Sequence, residues 1–289
     1  MRLRVEAPAT VANLGPGFDC LGLAVDLVNE VELETDVEPS VTVAGEGAGE
    51  LAEDATNLIV RSMAYLAQQA GGRLPAFALR CVNRIPLARG LGSSATAVVA
   101  GLLLADRLLG AGLGPDRLLE IATDLEGHAD NVAPALGGGV VLAHLTQDGW
   151  RAEPVPVSSD LQPVLLIPER ERISTEDARR VLPREVPRQA ATFNAARTAL
   201  LVLALGGRVE LLAEALQDRL HQAARLRLAP GAQRVFTDLQ SSGIPVCVAG
   251  SGPTLLAFDD DARPVPDPGP SWRVVRTRIR EHGAQVRDA

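Results

Sequence analysis

The absence of lysine is the most informative feature of this chain. None of its 289 residues is a lysine, so all 28 basic residues are arginine. The usual phosphate-binding P-loop, GxxxxGK[ST], needs a lysine that reaches the phosphates. A phosphate site in this protein must therefore use main-chain amides, hydroxyl groups, arginines or a bound metal ion.

Cysteine and histidine are also scarce. The three cysteines, Cys20, Cys81 and Cys247, are far apart in the sequence and form no CxxC pair, and the four histidines do not cluster with them. Disulfide frameworks and zinc sites normally show closely spaced cysteines or mixed cysteine and histidine pairs. The sequence therefore indicates neither.

No excess of positive charge and no long apolar run is present. The formal net charge is -8 and the isoelectric point is about 5.1, which argues against nucleic acid or an anionic membrane surface as a partner. The apolar stretches Ala95 to Leu109 and Ala199 to Leu216 contain charged residues and are too short for a bilayer span. The N-terminus, MRLRVEAPAT, alternates like a strand and lacks the apolar core of a signal peptide. We expect a cytoplasmic protein that binds small molecules, without a membrane or nucleic-acid partner.

Length predicts two domains, and the sequence pattern predicts a mixture of strands and helices. A chain of 289 residues exceeds the usual size of a single core. Alternating or β-branched runs predict strands at Arg2 to Glu6, Leu23 to Thr35, Val41 to Val43, Gly139 to Leu145, Val164 to Ile167 and Val246 to Ala249. Helical spacing predicts helices over Asn57 to Gln69, Ala95 to Leu109 and Asp116 to Glu126, and from about Thr175, Thr192 and Val209. The proline-rich stretch Trp150 to Asp160 is the predicted junction, which divides the chain into residues 1–156 and 157–289. The stretch Asp259 to Pro270 is a predicted surface loop.

A glycine- and serine-rich turn joins a predicted strand to a predicted helix. It reads PLARGLGSSAT and comprises Pro86 to Thr96. Its glycines let the backbone approach an anion, and the amides at the start of the helix lack partners where the helix dipole favours negative charge. A serine hydroxyl there can also reach Mg²⁺. The turn suits a triphosphate, although serine is equally a common helix cap.

Three further clusters interrupt the predicted elements. Asn13 and Asp19 lie in PATVANLGPGFD, where they suit either a small polar substrate or an Asx-turn. EGHADNVAPALGGG, from Glu126 to Gly139, holds a Glu, a His, an Asp and an Asn within six positions. Glu126 suits a magnesium ligand, and His128 suits either a functional role or a hydrogen-bonded strut. The glycines of GSGPT, beginning at Gly250, allow either an anion-facing loop or a plain hairpin.

Taken together, these four segments resemble the GHMP kinases, named for galactokinase, homoserine kinase, mevalonate kinase and phosphomevalonate kinase. The segments occur in the same order and with similar spacing. ANLGPGFD and HADNVAP place the chain closest to the homoserine kinase branch. The resemblance covers nearly the whole chain and weakens only from Asp259 to Ala289.

The resemblance implies ATP and Mg²⁺ as cofactors, L-homoserine as substrate and a homodimer as the assembly. The residues implied to contact the nucleotide are Pro86, Leu87, Ala88, Arg89, Gly90, Leu91, Gly92, Ser93, Ser94, Ala95, Thr96 and Asn57. Ser94 and Glu126 are implied to hold the metal. The implied homoserine pocket comprises Asn13, Asp19, His128, Asp130, Thr175, Arg179 and Arg225. Asn131, Glu126, Ser94 and Asp130 are the implied catalytic set, and two arginines suit a carboxylate because a guanidinium is a bidentate donor. Arg180 and Arg227 are close enough in sequence to be confused with Arg179 and Arg225.

The implied reaction transfers the γ-phosphoryl group of ATP to the hydroxyl of L-homoserine, a step of threonine biosynthesis. Many mevalonate and galactose kinases of this superfamily pair a catalytic aspartate with a lysine, which this chain cannot supply. We therefore expect placement of the hydroxyl, chiefly by Asn131, together with electrostatic stabilisation to do most of the work. Asp130 as a general base is the competing hypothesis.

The implied fold is a two-domain α+β GHMP kinase fold. Its N-terminal domain is ribosomal-protein-S5-domain-2-like, with a left-handed βαβ unit, and its C-terminal domain is ferredoxin-like. Two alternative functions stay open on the sequence: a GHMP kinase for another small alcohol, of mevalonate or methylerythritol type, and a catalytically silent ligand-binding relative.

Overall fold

A seven-stranded sheet contains most of the strands of the first half of the chain. In the computed structural model, which describes residues 1–260 and 263–289, the sheet has the strand order β11-β1-β2-β4-β3, and β5 pairs with both β2 and β6. Numbered in chain order, its strands are β1 (Arg2–Ala12), β2 (Leu21–Thr35), β3 (Ser40–Gly45), β4 (Phe77–Asn83), β5 (Val140–Thr146), β6 (Gly149–Val155) and β11 (Gln285–Asp288). All pairings are antiparallel except β3 with β4.

Four helices pack on this sheet. They are α1 (Leu58–Gln69), α2 (Ser93–Leu109), α3 (Pro115–Glu126) and α4 (Ala129–Gly137). Leucines and valines from these helices and from β1, β2 and β4 form one core cluster, in which Leu66, Val98 and Leu102 are fully buried. The parallel unit β3–α1–β4 is the βαβ unit of this domain.

A second, four-stranded sheet belongs to the later part of the chain. Its strands are β7 (Gln162–Pro168), β8 (Val246–Val248), β9 (Leu255–Asp259) and β10 (Trp272–Arg276). They lie in the order β10-β7-β9-β8 and are all antiparallel, which is the 4-1-3-2 arrangement of a ferredoxin-like sheet. The accompanying helices are α5 (Thr175–Arg180), α6 (Arg188–Leu205), α7 (Leu212–Ala215), α8 (Gln222–Leu226) and α9 (Pro230–Ser241), with a 3₁₀ turn at Val209–Leu211.

A continuous apolar layer joins the two sheets. Leu21 and Leu23 of β2 belong to the same buried cluster as Leu165 of β7, Leu256 of β9 and Leu201 of α6. Burial of this kind stabilises a contact by about 25 cal/mol per Å² of apolar surface removed from water. The two halves therefore hold a shared cleft in a defined geometry.

Several helix boundaries agree with those predicted from the sequence, and others differ from them. Helix α1 is capped by Asn57, whose side chain accepts a hydrogen bond from the Ile59 amide, so the helix begins one residue later than predicted. The helix expected from Thr192 begins at Arg188, and the helix expected from Val209 is only a 3₁₀ turn leading into α7. Most of the predicted junction Trp150 to Asp160 is strand β6, so the connection between the sheets is only residues 156–161.

Helix α4 is absent from the sequence prediction. Its polar first turn and its internal proline, Pro134, conceal the helical pattern because proline has no amide to continue the hydrogen-bond ladder. The carbonyl of Asp130, which that missing amide would have bonded, lies against Gly22, where a Cβ would come within 1.9 Å of it. Tertiary packing therefore maintains the helix.

The division of the chain into residues 1–156 and 157–289 stays a proposal. Strand β6 ends at Val155 and β7 begins at Gln162, but the last strand, β11, pairs with β1 in the first sheet. The predicted loop from Asp259 to Pro270 includes residues 261 and 262, which lie outside the described residues. Within residues 1–260 and 263–289, no helix is both long enough and apolar enough to span a bilayer.

Candidate active site

A cleft at the N-terminus of α2, between the two halves of the molecule, brings the four sequence motifs together. Gly250 and Ser251 of the GSGPT loop line it. Most of the residues implied by the resemblance line it as well, namely Asn13, Asp19, Pro86, Ala88, Arg89, Gly90, Leu91, Gly92, Ser93, Ser94, Glu126, His128, Asp130, Asn131, Thr175, Arg179 and Arg225. Residues more than 200 positions apart in the chain thus meet in one site.

A second cavity of about 400 Å³ adjoins the first and shares Ala88, Ser93 and Ser94 with it. Asn57, Leu87 and Thr96 line this second cavity, and its other walls are largely apolar, with Val31, Val43 and Ile59 among them. Ligand pockets of this size and character suit a flat, mostly apolar ring system. The two cavities together therefore have the form of a nucleoside pocket next to an anion pocket. Ala95 lines neither cavity and is buried in the core.

The glycine-rich loop approaches its neighbours too closely for any side chain. Gly92 is the N-cap of α2 with φ +64°, and a Cβ on it would lie 1.9 Å from the Thr10 hydroxyl oxygen. Gly90 has φ +73°, and a Cβ there would lie 2.1 Å from the carbonyl oxygen of Ala249. Among the residues that the structure describes, no side chain caps the first turn of α2, so its amides and the helix dipole are available to an anion.

Ser94 and Glu126 form a hydroxyl–carboxylate pair at this helix start. The Ser94 hydroxyl donates to Glu126 Oε2 at 2.6 Å. Burial raises the pKa of Glu126, and the Ser94 hydrogen bond partly offsets that rise. A half-buried carboxylate beside a hydroxyl and a helix N-terminus is a suitable oxygen donor set for a hard cation that also binds phosphate.

Asp130 and Asn131 lie in the first turn of helix α4 and line the cleft. Asp130 is 2% exposed, and burial together with the nearby negative charge of Asp19 raises its pKa to about 7. Asn131 accepts a hydrogen bond from the Thr10 hydroxyl through Oδ1, at 3.0 Å. With Oδ1 bonded to Thr10, the Nδ2 group of Asn131 is its remaining donor.

Asp19 and Arg179 pair with each other across the cleft. Two parallel hydrogen bonds, both 2.6 Å, join the Arg179 guanidinium to the two carboxylate oxygens of Asp19. Asp19 has φ +58° and Asn13 has φ +73°, so this loop is held in a conformation that costs a non-glycine residue energy. The sequence implied separate contacts of these two side chains with a substrate, whereas here each group is the other's partner.

Arg225 is a buried cation that lacks part of its hydrogen bonding. It is 3% exposed, and burial lowers its pKa to about 10. Its Nη1 donates to the Gly250 carbonyl at 2.7 Å, but within the described residues its buried Nε has no acceptor. An unsatisfied buried donor costs about 1 to 3 kcal/mol, and more when it is charged. Arg225 therefore suits an anionic ligand.

The two arginines that the sequence left ambiguous lie elsewhere. Arg180 is exposed and pairs with Glu176 and Asp177 on its own helix, and Arg227 is exposed outside the cleft. Only Arg179 and Arg225 of these four arginines line the cleft.

Asn13 and Arg89 mainly brace the walls of the cleft. Asn13 accepts from the Asp19 amide and donates to the Gly250 carbonyl, so it ties the first motif to GSGPT. Arg89 donates to the main-chain carbonyls of Leu87, Pro168 and Glu169 at 3.2, 2.8 and 2.6 Å. These contacts leave each side chain less free to bind a ligand than its motif indicated.

His128 and Thr175 complete the wall beside the paired charges. Burial, followed by the positive charge of Arg179, lowers the pKa of His128, so its ring is neutral near pH 7. Thr175 is the first residue of α5, the helix that also carries Arg179. Both residues therefore lie beside the paired Asp19 and Arg179.

The sequence did not identify His221 and Phe18 as site residues. The Phe18 ring stacks on His221 with 5.1 Å between centroids, and the guanidinium groups of Arg179 and Arg225 each lie 5.3 Å from the Phe18 centroid. The one available signal was the spacing of His221 and Arg225, because residues four apart share a helix face.

Comparisons with known sequences indicate one family. Residues 57–139 match the family model described as GHMP kinases N terminal domain. The chain is 42% identical to a homoserine kinase of Leifsonia xyli, over 98% of this chain and 91% of that protein, and 45% identical to a homoserine kinase of Synechococcus, over 91% and 87%.

Comparison with solved structures indicates the same family. The crystal structure of homoserine kinase from Cytophaga hutchinsonii superposes with a TM-score of 0.86 at 30% identity, covering 99% of this chain and 97% of that one. The L. major mevalonate kinase in complex with R-mevalonate has a TM-score of 0.68 at 14% identity, covering 96% of both chains, and shares the fold. On identity, coverage and fold together, this chain belongs to the homoserine kinase family of the GHMP kinases.

Proposed function

We propose that this protein is an ATP-dependent kinase that phosphorylates the hydroxyl group of L-homoserine to give O-phospho-L-homoserine. The observation that carries the proposal is the meeting, in one cleft, of a glycine-rich helix start with the paired Asp19 and Arg179 and the buried Arg225. The helix start suits the triphosphate, and the charged groups suit the ammonium and carboxylate of an amino acid. An ATP-using kinase of the GHMP family that acts on an amino acid needs both the triphosphate site and the charged groups.

Each end of the cleft has a separate task in this proposal. The nucleoside occupies the cavity lined by Asn57, Leu87 and Thr96, and the phosphates lie against Gly90 to Ser94. The ammonium group of homoserine binds the Asp19 carboxylate, and the carboxylate of homoserine binds Arg179 and Arg225. Substrate binding thus exchanges the Asp19–Arg179 pair for contacts of Asp19 with the ammonium and of both arginines with the carboxylate, so each side chain keeps a partner of opposite charge.

Mg²⁺ is part of the proposal through Ser94 and Glu126. Their 2.6 Å contact supplies one carboxylate and one hydroxyl, and Mg²⁺ typically completes its coordination with phosphate oxygens and water. The ion, when bound, neutralises charge on the phosphates.

In the reaction, the hydroxyl oxygen of homoserine bonds to the γ-phosphorus while the bond to the β–γ bridging oxygen breaks, and ADP leaves. Asn131 Nδ2 holds the hydroxyl in line with the phosphorus, and the amides of α2 stabilise charge on the transferring group. The hydroxyl proton passes to a phosphoryl oxygen or to water. Asp130 shapes the pocket electrostatically in this scheme and does not act as the base.

The alternative acceptors fit the cleft less well. Mevalonate carries a carboxylate but no ammonium, so it offers no partner to Asp19 once the Asp19–Arg179 pair opens. A methylerythritol derivative offers neither group. A catalytically silent relative would have no need of the Ser94–Glu126 pair.

One screen tests the function. ADP release from Mg-ATP is measured with L-homoserine, with mevalonate, with 4-diphosphocytidyl-methylerythritol and with no acceptor. We expect turnover with L-homoserine alone and identify the product as O-phospho-L-homoserine by ³¹P NMR. Turnover with a different acceptor would replace the substrate assignment, and no turnover with any acceptor would refute the kinase function.

Two wider proposals rest on the family resemblance. We propose that the enzyme acts in the cytoplasm and assembles as a homodimer. Sedimentation equilibrium on the purified protein tests the assembly, and a mass of twice 30.4 kDa is the expected result.

A further inference from the structure

His221 lies behind the cleft wall and is 1% exposed. It is the N-cap residue of α8 (Gln222–Leu226), the helix that carries Arg225. The Asp218 carboxylate accepts hydrogen bonds from the main-chain amides of Leu220, His221 and Gln222. That anchoring fixes the start of the helix, and the His221 ring with it.

Both ring nitrogens of His221 are used, and their partners define its tautomer. Nδ1 lies 3.1 Å from Arg225 Nη1, and Nε2 lies 2.7 Å from the carbonyl oxygen of Gly15. A guanidinium can only donate and a carbonyl can only accept. Nδ1 is therefore the unprotonated acceptor, and the proton on Nε2 is donated to Gly15. Burial lowers the pKa of His221 to about 4, which keeps this neutral tautomer at physiological pH.

The contact with His221 completes the hydrogen bonding of one nitrogen of Arg225. Nη1 carries two hydrogens, of which one is donated to the Gly250 carbonyl and the other to His221 Nδ1. The guanidinium is planar, so fixing Nη1 at two points also fixes the opposite edge, which consists of Nε and Nη2. Nε is the buried donor that has no acceptor within the described residues.

We propose that His221 is a positioning residue, which holds Arg225 by Nη1 so that its Nε–Nη2 edge is presented to the carboxylate of the acceptor amino acid. This inference rests on the proposed function, since it specifies which edge of Arg225 faces the carboxylate that Arg179 also contacts. The stacking of Phe18 against His221 and near Arg225 adds a second constraint on the same guanidinium plane.

Two amide substitutions, each of which mimics one ring nitrogen, separate this role from a purely structural one. In His221→Gln the side-chain amide reaches the position of Nε2 and still donates to Gly15, but no acceptor remains for Arg225. In His221→Asn the amide oxygen takes the position of Nδ1 and still accepts from Arg225, while the Gly15 contact is lost. The two variants therefore each remove one of the two contacts.

The measurement is steady-state kinetics with L-homoserine and with 3-aminopropan-1-ol, which has the same amine and hydroxyl but no carboxylate. For His221→Gln we expect the KM for homoserine to rise about tenfold, with kcat and the KM for ATP nearly unchanged. With 3-aminopropan-1-ol the kcat/KM of this variant should equal that of the wild type. For His221→Asn the KM for homoserine should stay within about threefold of the wild-type value.

Equal losses in the two variants, or a loss in His221→Gln that is the same for both acceptors, would overturn the proposal and leave His221 a structural strut. Should His221→Gln fail to fold, His221→Asn decides the matter alone, because a tenfold rise in its KM for homoserine contradicts the proposal. Failure of the proposed function is seen separately, as wild-type enzyme that does not phosphorylate homoserine.

Discussion

At the scale of single residues, the cleft contains charges of both signs, of which Asp130 and Arg225 are buried and Asp19 and Arg179 are partly exposed. Glu126 and Arg89 also line the cleft. The motifs that carry Asp19 and Asp130 could be recognised in the sequence because their polar residues interrupt apolar elements. The direct pairing of Asp19 with Arg179 could not, since these residues are 160 positions apart and only the folded chain sets their distance.

Asp130 gives the protein a pH-dependent stability. Its folded-state pKa of about 7 lies above the ordinary value of 3.8, so the folded protein holds this proton more tightly than the unfolded chain does. The contribution is fully present below about pH 4 and is lost as the pH rises to 7, by roughly 4 kcal/mol in all. We therefore expect Asp130→Asn to be more stable than wild type at pH 8, with the difference vanishing towards pH 4. Urea denaturation at both pH values measures this, and a pH-independent difference would contradict it.

The kinetics of the same variant distinguish placement of the hydroxyl from general-base catalysis. If Asn131 holds the hydroxyl, Asn131→Ala loses a positioned donor, and kcat should fall by about 100-fold or more. Asp130→Asn should then keep most of its kcat, because an amide has nearly the same shape. Single-turnover phosphoryl transfer at saturating substrates measures both. A large loss of kcat in Asp130→Asn, with an unchanged KM, would instead identify Asp130 as the base.

Arg179 should be sensitive even to a conservative change. Lysine keeps the charge but cannot form two parallel hydrogen bonds with a carboxylate, so Arg179→Lys should raise the KM for homoserine about tenfold or more. The KM for ATP should not change. Arg180→Lys is the matched control: its exposed ion pairs with Glu176 and Asp177 are far less demanding, so its kinetics should equal those of wild type. The KM for homoserine, measured in both variants, shows which of these neighbouring arginines contacts the substrate.

At the scale of elements, α1, α2 and α3 were predicted to within two residues at each end, whereas α4 was not predicted. The apolar spacing of α2 and its preceding glycine turn are strong local signals, so its start and end differ little from the prediction. Helix α4 depends on packing against β1, β2 and β5 because its sequence begins with polar residues and contains Pro134. Local pattern predicts a helix when propensity and packing agree, and fails when packing alone maintains it.

The two ends of α2 offer a matched test of the glycine-rich loop. Gly92 and Gly110 both have left-handed φ, of +64° and +60°, but only at Gly92 would a Cβ collide with a neighbour, whereas at Gly110 it meets nothing within 4 Å. Gly110→Ala should therefore cost about 1 to 2 kcal/mol, the penalty of the backbone conformation. Gly92→Ala should cost more than about 3 kcal/mol, because Thr10 must move. It should also raise the KM for ATP, which Gly110→Ala should not. Urea denaturation and ATP kinetics on both variants measure these effects, and equal behaviour would refute the importance of the Thr10 contact.

At the scale of the whole molecule, the prediction of the fold rested on the family resemblance more than on local sequence pattern. Hydrophobic periodicity located strands and helices, but it cannot order strands in a sheet. The 4-1-3-2 order of the second sheet and the return of β11 to β1 depend on contacts between distant segments. The sequence likewise predicts only that the four motifs share one cleft, and not how their side chains are arranged in it.

Arg89 connects the two halves at the cleft, so it provides a test of their coupling. It is 7% exposed and donates to carbonyls of its own loop and of β7 and the residue after it. Arg89→Met leaves those carbonyls without their donor, and it should cost about 3 kcal/mol or more of unfolding free energy. It should also raise the KM for ATP, because the loop from Pro86 to Thr96 loses its tie to the second sheet. Arg172→Met, which removes an exposed ion pair with Glu50 nearby, is the control and should alter neither quantity measurably. Similar stability and ATP kinetics in the two variants would mean that Arg89 does not couple the two halves.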